Sequence, residues 1–329
     1  MPVVLGIEST AHTFGVGIAT EEGRILANEN SVYRPLFGGI KPSEAAEHHS
    51  KVAAEVLGAA LRRSGLSLGE IDAIAVALGP GLGPCLRVGA TLARYLAYLL
   101  RKPLVPVNHA VAHVEIARLD TGLADPVIVY VAGGNTIVTT FNEGRYRVFG
   151  ETLDIALGNL MDTFAREVGL GFPGVPRVEE LAKKGGNLLQ LPYTVKGQDV
   201  SYSGLLTKAL QLYQAGKYPL EDVCYSLVEV AYSMLVEVAE RALAHTGKQE
   251  LVLTGGVARS PLLASKLARM AEARGAKFAV VSEEYAGDNG AMIAYTGALA
   301  FSSGVTIEVE ESRIRPLWRL DEVSIPWRR

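Results

Sequence analysis

A strand–turn–strand–turn–strand pattern occurs twice in this chain, and it constrains the fold more than any single motif. The first copy runs VVLGI (Val3 to Ile7), a polar turn, GVGIAT (Gly15 to Thr20), the pair Glu22-Gly23 and then ILANENSVY. The second runs VIVYVAGG (Val127 to Gly134), TIVTTFN (Thr136 to Asn142), the pair Glu143-Gly144 and then RYRVFGETL. Short apolar runs separated by glycine-bearing turns predict strands of a meander. Helices and further strands follow each copy. After the first come a helical pattern over Glu44 to Arg63, a buried strand over Ile71 to Leu78 and a Gly-Pro loop over Gly79 to Pro84. A helix over Leu86 to Leu100, a strand over Leu104 to Val107 and a helix beginning near His109 complete that half. After the second come helices over Leu160 to Val168, Val178 to Lys184 and roughly Leu220 to His245. A strand ending in glycines (Leu251 to Gly256), a helix, a strand (Phe278 to Ser282) and a last helix from Asp288 complete the other. The expectation is an α/β protein of two similar lobes, 1–125 and 126–305, with a basic tail, 306–329, packing back on them.

Composition narrows the function classes. Of the 329 residues, 49% are hydrophobic and 20% charged, so the chain can bury a large core and is not disordered. The net charge of −3 argues against gripping nucleic acid by bulk charge, while leaving room for a local basic face or a partner that supplies one. The cysteines, Cys85 and Cys224, form no disulfide framework. The start MPVVLGIEST has no basic segment followed by a long apolar one, so no signal peptide is expected. LARYLAYLL (Leu92 to Leu100) is too short and too charged to span a membrane, and the expected location is the cytoplasm.

Three kinds of residue could carry chemistry. In HAVAHVE, His109 and His113 are four apart; on a helix both fall on one face and can converge on a metal ion. No glutamate follows the first histidine as in the zincin motif, and the spacing alone also suits two partly exposed histidines. Glycine turns after apolar strands occur at GIESTAHT (Gly6 to Thr13), YVAGGNT (Tyr130 to Thr136) and LTGGVA (Leu253 to Ala258). Such turns bring backbone amides close to an anion, or are simply turns; three in one chain favour the first reading. Asp288, before the last apolar run, suits either an N-cap or a hard anionic metal ligand. Asp162 and Glu179 fall in helical patterns that would equally put them in solvent, the default also for Lys183-Lys184 and for Arg313 to Arg319. GPGLGPCLRVG (Gly79 to Gly89) suits a substrate loop or a tight structural turn.

In order and spacing these segments resemble one family, the TsaD/KEOPS glycoprotease-like proteins in their archaeal and eukaryotic branch. The resemblance covers essentially the whole chain. It rests on GIESTAHTFGVGI, KPSEAAEHH, GPGLGPCLRVG, HAVAHVEIA, YVAGGNT, ALGNLMDTFARE, PGVPRVEELAKKG, SYSGLLT, LTGGVA, DNGAMIA and IRPLWRLDEV. It implies an actin-like ATPase (ASKHA) fold of two duplicated ribonuclease-H-like lobes with a nucleotide cleft between them. It implies a tRNA-modifying transferase that moves threonylcarbamoyl from threonylcarbamoyl-AMP to the adenosine 3′ of the anticodon in ANN-decoding tRNAs. One iron or zinc ion would be held at the positions of His109, His113, Tyr130 and Asp288. ATP or threonylcarbamoyl-AMP would meet Tyr130, Val131, Ala132, Gly133, Gly134, Asp162, Val175, Glu179, Gly255, Gly256 and Ser260. The implied partners are tRNA and the KEOPS subunits: a small kinase/ATPase, a kinase-binding subunit and a dimerising subunit. No fused kinase domain and no membrane contact are expected. Two positions depart from the family. Val175 stands where PGGP has its second glycine, and Ser260 where GGVAAN has its asparagine. Glu8, in the first glycine-bounded turn, is expected to orient metal-bound water or substrate. The competing readings are an ATPase or kinase on the same fold, a metalloprotease, and a non-catalytic nucleotide-binding scaffold.

Overall fold

A computed structural model describes residues 1–35 and 39–328; the last residue of the basic tail, Arg329, lies outside them. The chain forms two compact units that are not contiguous in sequence. One comprises Met1–Asp120, Asn142–Tyr146 and Gly287–Arg329, the other Thr121–Phe141 and Arg147–Ala286.

The first unit is built on a five-stranded sheet with the order β3-β2-β1-β4-β5. Its strands are β1 (Val3–Glu8), β2 (Thr13–Thr20), β3 (Ile25–Val32), β4 (Ala73–Gly79) and β5 (Leu104–Asn108). β1, β2 and β3 form an antiparallel meander, and β4 and β5 add parallel to β1. The helices are α1 (Pro42–Ser64), α2 (Gly83–Leu100) and α3 (His109–Thr121). The second unit repeats the topology with β6 (Val127–Val131), β7 (Thr136–Asn142) and β8 (Arg145–Glu151), followed by α4 (Leu157–Glu167) and α5 (Gly174–Ala182). A two-stranded hairpin, β9 (Val195–Lys196) and β10 (Asp199–Val200), leads to α6 (Ser203–Gln214) and α7 (Leu220–Thr246). Then come β11 (Glu250–Thr254), α8 (Pro261–Ala273), β12 (Lys277–Val280), α9 (Glu283–Ala286) and α10 (Gly290–Ser302). The second sheet has the order β12-β11-β6-β7-β8, with β11 parallel to β6 and β12 parallel to β11. Read from the meander outward the two sheets have the same strand order, which is the duplication expected from the sequence.

α10 departs from the contiguous lobes drawn from the sequence. It packs on β1, β2 and β4 and so belongs to the first unit, not to a lobe ending at 305. Strand alternation explains how. On β2, Phe14, Val16 and Ile18 face one way, into the core shared with Val56 and Ala60 of α1 and Ala90 and Ala93 of α2. Gly15 and Gly17 face the other way, and Gly6 of β1 pairs with Gly17. A Cβ on Gly6 or Gly17 would lie under 3.0 Å from backbone atoms of α10, at Ala294 and at Gly290. At Gly6, Gly15 and Gly17 this sheet face is therefore bare backbone, and a helix that itself begins with glycine lies directly on it.

The tail runs along the same unit. Ile307 N donates to Leu104 O at 2.9 Å, Arg315 N to Leu78 O at 2.6 Å and Gly81 N to Pro316 O at 3.1 Å. The Gly-Pro loop is thus a structural turn: a Cβ on Gly79 would meet Arg315 O, and one on Gly81 would meet Thr10. Glu115 of α3 is fully buried and ties the far end of the tail. It accepts from Trp327 Nε1 at 2.9 Å, Tyr146 Oη at 2.7 Å and Arg118 Nη1 at 2.6 Å.

α6 is an element the sequence reading passed over. Its N-terminus is fixed from a distance by Asp154, which accepts from Ser201 Oγ at 2.6 Å, Tyr202 N at 2.8 Å and Ser203 Oγ at 2.6 Å. These charge-assisted bonds hold the Asp154 carboxyl below its usual range, against the opposing effect of its partial burial.

Overpacking the glycine face should be costly. Gly17→Ala is expected to lose about 1–3 kcal/mol of stability in a denaturant titration, because the added methyl meets backbone rather than a movable side chain. Gly204→Ala in α6, where a Cβ meets nothing within 4 Å, is expected to be neutral or slightly stabilising in the same titration.

Candidate active site

α3 starts at His109 because Asn108, the last residue of β5, turns its carboxamide back on the helix. Its Oδ1 accepts from the amides of Ala110 and Val111 at 2.9 and 3.1 Å, satisfying two donors that would otherwise lack intrahelical partners. The helix is then buried without interruption from His109 to Ala117. The two histidines are therefore not the partly exposed pair that their spacing allowed: His109 is 5% exposed and His113 0%. Their rings meet edge to face with centroids 4.7 Å apart.

Asp288 reaches them from the turn before α10. It is not the N-cap; Asn289 is, its Oδ1 accepting from Met292 N at 2.9 Å, and the helix begins at Gly290. With capping done by its neighbour, Asp288 Oδ1 lies 3.4 Å from His109 Nε2 and 3.2 Å from His113 Nε2. The ligand atoms of His109, His113 and Asp288 lie within 4.8 Å of one another. His12 flanks the group, with Nδ1 3.8 Å from Asp288 Oδ2.

Glu8 completes the arrangement. It is fully buried and both its oxygens are bonded by protein. Oε1 accepts from Thr10 N at 2.6 Å and Thr10 Oγ1 at 2.5 Å, and Oε2 lies 2.9 Å from His109 Nδ1. Glu8 therefore holds the His109 ring so that Nε2 points at Asp288. A carboxylate on the far nitrogen of a histidine is the usual support of a metal-binding imidazole.

Burial disfavours a charge on either ring. At His109 the Glu8 and Asp288 carboxylates overcome it and raise the pKa to about 10. At His113 burial prevails, helped by the neighbouring His109, and the pKa is lowered. Burial also works against the Asp288 carboxylate, but His109 first and His113 after it hold its carboxyl well below the ordinary range. The cluster is a buried place that favours positive charge, with two imidazole nitrogens and a carboxylate oxygen converging. That donor set suits zinc or iron.

The other expected site residues lie in the second unit and surround the C-terminal ends of its parallel strands β6 and β11. Tyr130 and Val131 end β6 fully buried, Ala132 is half-buried, and Gly133 and Gly134 are exposed. Gly255 has a φ of 94° and lies so close to Val131 O that no side chain fits, whereas a Cβ on Gly134 or Gly256 would meet nothing within 4 Å. Open space beside exposed glycines at strand ends is where α/β sheets take ligands. Asp162 is half-buried and its Oδ1 accepts from Gly174 N at 2.7 Å, so it braces the start of α5. Val175 is half-buried in the first turn of that helix. Glu179 is not solvated, as its helical pattern allowed, but buried, 4% exposed, on Tyr232 Oη at 2.5 Å and on the Ser260 hydroxyl. Sequence reasoning missed Tyr232, which lies in the middle of a long apolar helix and offers no motif. It also left Thr10 out of the site, although the Ser-Thr pair in GIESTAHT signals a turn rich in donors.

The chain is similar to several known proteins. The family description "TsaD: tRNA N6-adenosine threonylcarbamoyltransferase" matches residues 24–295. A tRNA N6-adenosine threonylcarbamoyltransferase of Thermofilum pendens is 77% identical over 325 residues, 99% of this chain and 97% of that one. One of Hyperthermus butylicus is 59% identical over 335 residues, covering 99% and 92%. Among solved structures, T. kodakarensis HypF superposes with a TM-score of 0.66 at 18% identity, over 92% of this chain and 48% of that one. The Acidaminococcus fermentans (R)-2-hydroxyglutaryl-CoA dehydratase component A gives 0.56 at 13% identity, over 91% and 98%. These two share the actin-like ATPase fold and indicate fold alone. No helix of the described residues is long and apolar enough to cross a membrane. The chain belongs to the TsaD family and is an acyltransferase, a tRNA N6-adenosine threonylcarbamoyltransferase.

Proposed function

We propose that this chain transfers threonylcarbamoyl from threonylcarbamoyl-AMP to N6 of the adenosine 3′ of the anticodon in ANN-decoding tRNAs, with a metal ion held at His109, His113 and Asp288. The observation that carries the metal reading is the convergence of two imidazole Nε2 atoms on Asp288 Oδ1 while Glu8 holds the other nitrogen of His109. The ion would be iron or zinc, with Tyr130 a further ligand by its position in the family pattern. When bound, it supplies a fixed positive charge for the oxygen atoms of the threonylcarbamoyl group.

The chain's own residues divide the remaining work. In the reaction the N6 nitrogen attacks the carbamoyl carbon, the bond from that carbon to the phosphate oxygen breaks, N6 loses a proton and AMP leaves. The exposed glycines Gly133, Gly134 and Gly256, the last two with open space on the Cβ side, suit the adenylate phosphate, whose charge grows as it departs. Glu179 suits the ribose. The same positions would take ATP. Asp162, whose Oδ1 braces Gly174 N at the start of α5, and Val175 in that helix's first turn complete the nucleotide wall. Thr10 Oγ1 lies 3.2 Å from His109 Nδ1 and helps to hold that ring, and His12 flanks Asp288.

The acidic balance of the chain supports a composite tRNA surface made with a small kinase/ATPase, a kinase-binding subunit and a dimerising subunit of a KEOPS-type assembly in the cytoplasm. A protease reading finds less support, because Glu115, the carboxylate of HAVAHVE, is engaged by Trp327, Tyr146 and Arg118.

Three outcomes are expected. Glu8→Gln should weaken metal affinity roughly 10- to 100-fold in a chelator-competition titration, because the support of His109 is lost; unchanged affinity and transfer rate would remove Glu8 from the account. With threonylcarbamoyl-AMP, an ANN-decoding transcript and the partner proteins, wild type should form modified adenosine and His109→Ala should not, as read by nucleoside mass spectrometry. The chain by itself should bind tRNA weakly, with affinity falling steeply as salt rises; tight binding at physiological salt would contradict the composite surface.

A further inference from the structure

Glu179 is held in an unusual way for a buried carboxylate. It projects from α5 and takes two hydroxyl donors on the same oxygen. Tyr232 Oη, from the middle of α7, donates to Oε1 at 2.5 Å, and Ser260 Oγ donates to that same Oε1. The two hydroxyls lie 3.4 Å apart, so the three groups form a closed cluster. Ser260 is also the N-cap of α8, accepting from Leu263 N at 3.0 Å. Its hydroxyl has one proton to give, and with a lone pair already committed to Leu263 N that proton goes to Glu179. Tyr232 is buried, and burial followed by the adjacent carboxylate raises its pKa well above the ordinary value, so it stays a donor. Among the described residues, Oε2 of Glu179 has no hydrogen-bond partner.

The geometry points to Tyr232 and Ser260 as positioning residues that saturate one oxygen of Glu179 and turn the other, an acceptor only, toward the ribose hydroxyls of the bound nucleotide. This rests on the reading that the nucleotide half of the donor lies at Glu179. It gives a role to Ser260, which stands where the family usually has asparagine. The serine is too short to extend toward a ligand past the carboxylate it already touches, so it acts through Glu179. It also brings in Tyr232, which no motif marks. Two donors on one oxygen fix the carboxylate about its last torsion, which a single bond would leave free. The selection exercised is for a ribose hydroxyl over its absence, because a deoxy analogue leaves the aimed oxygen without its donor.

The test is equilibrium binding of ATP, 2′-deoxy-ATP and 2′,3′-dideoxy-ATP to the purified chain by calorimetry, for wild type, Y232F, S260A, S260T and E179Q. Wild type is expected to prefer ATP to the dideoxy analogue by roughly 10- to 100-fold, the range for a hydrogen bond to a charged group. Y232F and S260A are expected to reduce that ratio several-fold, with Y232F binding the dideoxy analogue as wild type does. S260T, which keeps the hydroxyl and the cap, should retain the ratio, and E179Q should lose most of it. A ratio unchanged in Y232F and S260A but lost in E179Q would overturn the positioning role and leave the ribose reading standing. An equal weakening of all three nucleotides in Y232F and S260A would show a structural role instead and overturn the proposal. No preference for ATP in wild type would overturn the ribose reading itself, and the positioning role with it.

Discussion

The rest of the first unit depends on one packing contact, the backbone of α10 lying on the glycine face of β1 and β2. At Gly6, Gly15 and Gly17 that face has no side chains, and Gly290 at the start of the helix has none on the other side. The approach is closer than any helix with ordinary side chains on such a sheet could make. Its consequence is positional. The residue just before the helix is carried from the far end of the sequence to the C-terminal end of β1, where α3 presents its histidines. Asn30 Oδ1 accepts from Gly290 N at 2.9 Å and fixes the same junction from β3. Asn289 then caps the helix, which leaves the Asp288 carboxylate to face His109 and His113.

The electrostatics follow from that placement. Two carboxylates, Glu8 and Asp288, sit on opposite nitrogens of one buried imidazole. Burying unpaired negative charge is unfavourable, and in this arrangement a cation offsets it, whether a proton on His109 or a metal at the Nε2 atoms. Glu8 comes from β1, His109 from the first turn of α3 and Asp288 from the approach to α10. Each is thus set by the end of a rigid element rather than by a free loop, which is what a site requiring fixed distances needs.

Much of this was legible in the sequence. The meanders, α1, α2 and α7 follow from apolar periodicity, and the repeated acidic-Gly turns signalled the duplication that the two sheet orders display. The HxxxH pair was legible as a possible ligand pair, yet its burial was not, because α3 is short and its apolar residues surround the histidines on every side. The ambiguity of Asp288 was resolved by its neighbour: which of two adjacent polar residues caps a helix is decided by backbone geometry that a sequence does not display. α6 went unseen because its start, Ser-Tyr-Ser-Gly, reads as a turn, and the carboxylate that organises it is Asp154, far earlier in the chain. The membership of α10 in the first unit was hidden for the same reason. The glycines that receive it are at one end of the sequence and the helix is at the other. Glu179 was misread unaided because its partners, Tyr232 and Ser260, come from two other helices.

The central claim is that α10 delivers Asp288 to the two histidines so that together they hold a metal ion. The most direct measurement is a crystal structure of the metal-loaded protein with data collected at the absorption edge of the bound metal. The account predicts an anomalous peak within coordination distance, about 2.0–2.2 Å, of His109 Nε2, His113 Nε2 and an Asp288 oxygen, with Glu8 still on His109 Nδ1. A peak ligated through Glu8 or His109 Nδ1, or one at another place in a protein that carries transfer activity, would contradict it.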